Sequence, residues 1–214
     1  VGWAPPPPGA IIALGTGVHT IREKGRKTRP DHHEAGAVLA ALPGRTIRRL
    51  LETTLDGAQL AAHLGLPYAF ASHFAPDAMM RAIKLYRQEF EPSEQLAQPH
   101  VILGYNICAA DTEEEALLLR SSGLQAFLNL RSGNPGPLPK PNERFEEELS
   151  DAERAMLQQV SSASAVGTVA SVRDQVHEFL QRTEADELIV VSQIHDHQAR
   201  CKSYDIAYEA CAGI

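Results

Sequence analysis

The chain has 214 residues, a formal net charge of −7 at pH 7, 43% hydrophobic residues and 22% charged ones. That length supports one sizeable core, and the composition is ordinary for a globular domain. The acidic balance argues against nucleic acid or an anionic membrane as the main partner. Three cysteines, Cys108, Cys201 and Cys211, lack C-x-x-C spacing. This argues against a disulfide framework or a zinc site and for a reducing cytoplasm. No run reaches the length of a membrane span, and the opening Val1-Gly2-Trp3-Ala4, followed by Pro5 to Pro8, does not read as a signal peptide.

Residues 1–44 read as an irregular segment. Pro5 to Pro8 predicts a short polyproline II stretch, and Ile11 to Leu14 a brief strand. The basic run from Arg22 to Arg29 reads as solvated and poorly ordered. Ala35 to Leu42 predicts a short helix closed by Pro43-Gly44. From Arg45 onward, residues 45–214, the patterning is that of a folded α/β unit. Thr54 or Asp56 caps a helix through His63, which stops at Gly65. Pro67 to Ser72 predicts a strand. Pro76 opens a helix with Met79, Ile83, Tyr86 and Phe90 on one face. His100 to Ala109 is an apolar strand, and Thr112-Glu113-Glu114-Glu115 starts a helix reaching about Leu130. Arg131 to Ser150 reads as one long loop, with the acids Glu146 to Glu148 on a solvated face. Asp151 to Val160 is a short helix, and Gly167-Thr168 opens another that buries Val172, Val176, Phe179 and Leu180. Glu187 to Ser192 carries Leu-Ile-Val-Val, a run suited to a parallel strand, and a last helix holds Tyr204, Ile206, Ala207 and Tyr208. Three strands separated by helices require parallel crossovers. The residues alone leave two architectures open, a small open α/β sheet or a fragment of a barrel.

Several separated blocks share one pattern. They are Ala58 to Ala62 with Gly65 to Pro76, Tyr86 to Phe90 with Pro92 to Leu96, Ala109 to Ala116, Gln125 to Leu130, and Ala185 to Ser192. In this order and spacing the chain from about residue 47 to 210 resembles the C-terminal half of the bacterial luciferase-like flavin monooxygenases. The resemblance implies the C-terminal half of a (β/α)8 TIM-type barrel behind an N-terminal segment unlike the family. It also implies reduced flavin mononucleotide (FMN) as cofactor, with molecular oxygen and a small organic substrate such as an aldehyde or alkane. A separate NAD(P)H-dependent flavin reductase and a homodimer are the implied partners. The same fold also serves deazaflavin-dependent oxidoreductases, and a half-barrel that binds flavin or assembles without catalysis is the reading from another class. Arg48 to Thr54 carries arginines where the family has apolar strand residues. The abrupt join raises the expectation of a change of reading frame upstream of about residue 55.

The candidate site residues follow from helix starts and strand ends. Thr53 and Thr54 begin a helix where free N–H groups and the dipole attract an anion. In the resemblance they align with hydroxyls that hold the flavin phosphate, and a plain helix cap needs the same geometry. Ser72, His73 and Phe74 end a strand, the active face of a barrel. Ser72 is a cofactor-binding candidate. His73 is the catalytic candidate, for a hydrogen bond to flavin or for proton transfer, and Phe74 reads as packing. Ser192 ends the last strand as a further cofactor-binding candidate, with Gln193, His195, Asp196 and His197 after it. The His-x-His spacing puts two imidazoles on one side only if the strand continues, and no metal is expected. Gly15-Thr16-Gly17 lacks a dinucleotide context. Cys108 reads as a small buried hydrophobe, and Gly167-Thr168 as a helix start with a weaker phosphate option.

Overall fold

The computed structural model describes residues 12–13, 50–52, 54–73, 76–212 and 214. Pro5 to Pro8, Gly15 to Gly17, the basic run, the helix expected at Ala35, and the residues Thr53 and Phe74 lie outside them. The described elements, in chain order, are β1 (Ile12–Ala13), β2 (Leu50–Glu52), α1 (Leu55–His63), β3 (Tyr68–Phe70), α2 (Pro76–Glu89), β4 (Val101–Ala109), α3 (Glu113–Arg131), α4 (Phe145–Glu148), α5 (Asp151–Ser161), β5 (Ser164–Gly167), α6 (Val169–Thr183), β6 (Glu187–Val191) and α7 (His197–Cys211).

The strands form one sheet in the order β1-β6-β4-β3-β2, with β5 paired to β4. Every pairing is parallel, as helical crossovers require. The hub is β4, the longest strand. Val101 to Leu103 pair with β3 on one edge, and Ile102 to Asn106 pair with β6 on the other. Asn106 pairs with both Val191 and Ser164, so β5 lies on the same edge as β3, beyond its end. Between those two short strands the edge of β4 at Gly104 and Tyr105 has no strand neighbour. That gap positions the site described below.

Alternation divides β4 between two environments. Val101, Leu103, Tyr105, Ile107 and Ala109 join the core under the helices. The helix α2 buries Met79, Ala82, Ile83 and Tyr86 there, and α6 buries Val172, Val176 and Phe179. Phe179 stacks on Tyr105 with ring centroids 4.4 Å apart. The small face of α1, Gly57, Ala58, Ala61 and Ala62, lets it pack closely against the sheet and α2. It ends as expected at Gly65, whose φ is +58°. Gly65 N–H donates to Ala62 O and Leu66 N–H to Ala61 O, the paired bonds of a Schellman stop. A Cβ at Gly65 would stand 2.5 Å from Ser93 Cβ, so close packing reinforces the conformational need for glycine.

Two expectations change, and a third holds. The described residues within 45–214 hold five strands where three were expected, the additions being β2 and β5. β2 forms within the arginine-containing stretch, and β5 is four residues with a single Val. Neither carries an apolar run, and both are strands because neighbouring edges offer hydrogen bonds. The segment expected as one long loop contains α4, anchored by the buried Phe145. The loop also docks on α3, where Asn142 N–H donates to Ser121 Oγ at 2.8 Å and Gln125 donates to Lys140 O at 3.0 Å. The brief strand expected at Ile11 to Leu14 is present as β1 and pairs with β6.

Candidate active site

A cavity of about 160 Å³ lies where the strands end. β4 contributes Asn106 and Cys108 from the face opposite the outer helices. The segments after β3 and β6 contribute His73 and Gln193, and β5 contributes Ser164. The helix α3 closes it with Arg120, Leu124 and Phe127. Cys108 donates its thiol to Ala116 O at 3.3 Å, which fixes α3 over the end of β4. Parallel α/β folds place ligands at the carboxyl ends of strands, where loops converge and backbone groups point outward.

His73 reaches this cavity because of its two neighbours. Ser72 is fully buried and its Oγ donates to Gly104 O at 2.6 Å, filling the gap on the edge of β4. Its hydroxyl therefore serves the sheet directly beneath the cavity. His73 then lies over Gly104, so closely that a Cβ there would be 2.1 Å from His73 Nδ1. Burial pushes the imidazole down to about 4 from its ordinary 6.5, since a charged ring loses solvation. The neutral ring is the form present at pH 7. This gives an expected pH dependence. The unfolded chain binds a proton at His73 as pH falls through 6.5, whereas the folded chain resists until about 4. The contribution is complete above pH 6.5 and lost on acidification toward pH 4, up to roughly 3 kcal/mol. Denaturant titrations from pH 7 to 4.5 on the wild type and His73→Gln check it. Parallel stability curves for the two proteins would refute it.

Asn106 and Arg120 are cavity residues that sequence reasoning did not single out, whereas Gln193 belongs to the polar group named after the last strand and does line the cavity. Asn106 Oδ1 is buried without a hydrogen-bond partner among the described residues. A polar residue at an inward position of the apolar run Val101 to Ala109 was the available signal. Arg120 had none, because nothing local shows which side of α3 faces a cavity. Cys108 is buried, as its strand position suggested. Burial pushes its thiol up to about 12, which makes it an inert lining group.

The other candidates sit elsewhere. Thr54 caps α1, its side chain accepting from Gly57 N–H at 3.2 Å, and it is exposed. Ser192 is buried and faces α7. It pairs with Ser203 Oγ at 3.1 Å, while its N–H donates to Tyr204. Ser203 also accepts from Ala109 N–H, so these hydroxyls clamp α7 onto the ends of β4 and β6. Strand alternation explains the direction: Leu188, Val190 and Ser192 share the helix-packed side, and Gln193 falls on the cavity side. The strand stops at Val191, so the condition for His195 and His197 to share a side is not met. Asp196 caps α7, accepting from Ala199 N–H at 2.8 Å. Among the described residues no three His, Cys, Asp or Glu side chains gather as metal ligands would. At Gly167-Thr168, the Glu113 carboxylate accepts from Thr168 N–H at 3.2 Å and from the Thr168 and Ser171 hydroxyls at 3.0 and 2.5 Å. Those bonds, Ser171 first, hold its carboxyl below the usual range. The anion position at the start of α6 is thus taken by the chain's own carboxylate.

A parallel α/β sheet with a cavity at its strand ends, lined by a half-buried histidine that is neutral at pH 7, defines the class of α/β folds that hold ligands at the carboxyl ends of their strands. Residues 53–187 match the luciferase-like monooxygenase family. A luciferase-like monooxygenase of Escherichia coli K12 is 46% identical over 160 residues, covering 75% of this chain and 48% of that protein. The uncharacterized protein YvbT of Bacillus subtilis is 39% identical over 169 residues, covering 78% and 50%. Among solved structures, apo-MsnO8 superposes with a TM-score of 0.64 at 30% identity, covering 79% of this chain and 52% of that one. The chain belongs to the luciferase-like monooxygenase family. It spans about half the length of the curated relatives it matches. Among the described residues no helix is long and apolar enough to cross a membrane.

Proposed function

We propose that this chain is the C-terminal half of a (β/α)8 barrel enzyme, a flavin-dependent monooxygenase using reduced FMN and molecular oxygen on a small organic substrate. The observation that carries the reading is the cavity at the strand ends, which lies within the family-matched region and presents His73 and Asn106. The cytoplasm, a separate NAD(P)H-dependent flavin reductase and a homodimer belong to the same proposal.

The residues present fit a flavin in two respects. The face of the sheet opposite the helices is apolar beside the cavity, with Ile189 and Val191 only partly covered, which suits one side of a flat ring. Gly104 has no side chain there, and His73 occupies the space above it. At the phosphate end, Thr54 Oγ1 accepts from Gly57 N–H and keeps its own proton to donate. Asp56 in the same turn opposes an anion, so the hydroxyl and N–H groups must outweigh one nearby charge. Bound reduced flavin supplies the electrons that activate oxygen toward the substrate. The chain's own part is to keep His73 neutral, so that one imidazole nitrogen accepts a proton or a hydrogen bond and the other donates an N–H hydrogen bond. Leu124, Phe127 and Val160 give the cavity an apolar wall.

The test is titration of the purified chain with FMN and with riboflavin, which lacks the phosphate, followed by oxygen uptake with reductase and NADH. Thr54→Ala is expected to weaken FMN several-fold and leave riboflavin unchanged, with about 1 kcal/mol lost from the helix cap. Equal effects on both ligands would leave Thr54 a cap alone. No flavin affinity would sink the flavin reading, and deazaflavin binding in its place would move the assignment to hydride transfer. Flavin binding without oxygen uptake would assign a binding role.

A further inference from the structure

We propose that the cavity under α3 is a substrate chamber in which Arg120 takes the carboxylate of a short organic acid. The proposal rests on the reading above only in treating this cavity as the substrate side of the site. Residues Arg120, Leu124, Phe127 and Arg131 are spaced four, three and four apart, one stripe along α3. The first three line the cavity, and the Arg131 guanidinium stands 5.2 Å from the Phe127 ring centroid.

Arg120 is half-buried, and the partial loss of water around its guanidinium draws its pKa down from the ordinary value. A guanidinium has five N–H donors. Here one donates to Ser161 Oγ, itself a cavity residue. Among the described residues Arg120 has no ion pair. Glu146 favours its charged form from a distance, but is exposed and paired with Arg154 at 3.8 Å. A half-buried cation without a counterion is under-solvated, and the apolar walls beside it strengthen its pull on an anion that enters. The planar fork of arginine matches a carboxylate with two parallel hydrogen bonds. An aldehyde or alkane would leave that charge unanswered.

Two amides add neutral partners. Asn106 Oδ1 has none among the described residues, and an amide turned over offers N–H instead of oxygen. Gln193 lines the same space. The volume of about 160 Å³ falls below the roughly 300–1,000 Å³ that encloses a whole drug-sized ligand. The occupant is therefore a short-chain acid, not the whole cofactor.

The experiment is calorimetric titration of the wild-type chain with butyrate, with butyramide as the uncharged isostere, and with inorganic phosphate, at constant ionic strength. Butyrate is expected to bind at least ten times more tightly than butyramide. Arg120→Gln should erase that preference and Arg120→Lys retain part of it, with far-UV circular dichroism verifying the fold of both. Equal binding of butyrate and butyramide by the wild type overturns the proposal without need of a variant. So does a preference for phosphate, which would assign the cavity to a phosphate end. FMN titration of the same preparation separates the two readings. Butyrate selectivity without FMN affinity supports the chamber and removes the flavin. FMN affinity without butyrate selectivity removes the chamber alone.

Discussion

Gly104→Ala is expected to disable the site and to destabilise the fold by about 1–3 kcal/mol. The added methyl would lie 2.1 Å from His73 Nδ1 and 2.6 Å from Cε1, inside any tolerable contact. The sheet at Gly104 cannot retreat, because β4 is hydrogen-bonded to β6 there, Gly104 pairing with Ile189. The His73 ring must yield, and the way open to it is the cavity it lines. On the role proposed for His73, FMN-dependent oxygen uptake should then fall at least tenfold, since a misplaced reacting group costs far more rate than stability. A double-mutant cycle separates this from general strain. In a His73→Ala background the alanine at 104 has room, so its cost should nearly vanish, a coupling of about 1–3 kcal/mol. Strict additivity of the two substitutions in urea unfolding would show that the ring and the glycine do not compete for space.

Tyr86 carries the second large effect, at the opposite end of the strands. It is fully buried, with its ring 5.2 Å from Tyr68 and edge-on to Phe90 at 5.6 Å. Its hydroxyl donates to Leu66 O at 2.8 Å and accepts from His100 N–H at 3.1 Å. One side chain thus ties the segments entering β3 and β4 together. Tyr86→Phe leaves both backbone groups without that partner and should cost about 1–3 kcal/mol. Tyr86→Ala adds a cavity and should cost about 3–5 kcal/mol, a large share of an ordinary domain's stability. Chemical denaturation of both variants reads these values. A Phe variant within 0.5 kcal/mol of wild type would mean that water replaces the hydroxyl at no cost. Ligand affinity of the folded Phe variant should be unchanged, because the cavity is at the other ends of the strands.

Local sequence specified every described helix except α4. Thr112 caps α3 by accepting from Glu115 N–H, and Ser150 with Glu153 forms a reciprocal capping box on α5. Both depend on residues three apart, which touch in any chain that turns helical there. The apolar runs of β4 and β6 were legible as continuous hydrophobic stretches, although only β4 is buried on both faces, while β6 buries Leu188 and Val190 and leaves Ile189 and Val191 half-covered. The resemblance of separated blocks placed the chain in its family and put His73 at a strand end.

What residues 164–167 and 50–52 become was settled by distant edges, because a three- or four-residue strand has no stability apart from its neighbour. The facing of the serines was settled in the same way. Ser72 and Ser192 lie just past β3 and β6, which end at Phe70 and Val191 rather than at the serines as expected, and the alternation that the sheet imposes turns Ser192 toward Ser203, while the gap on the edge of β4 draws Ser72 to Gly104. Arg120 became a cavity residue only when Cys108 and the end of β4 seated α3 above them. Hydroxyl, imidazole and guanidinium groups announce chemistry in a sequence, but a one-residue shift of phase moves them from cavity to core. Backbone pairing between segments far apart in the chain sets that phase.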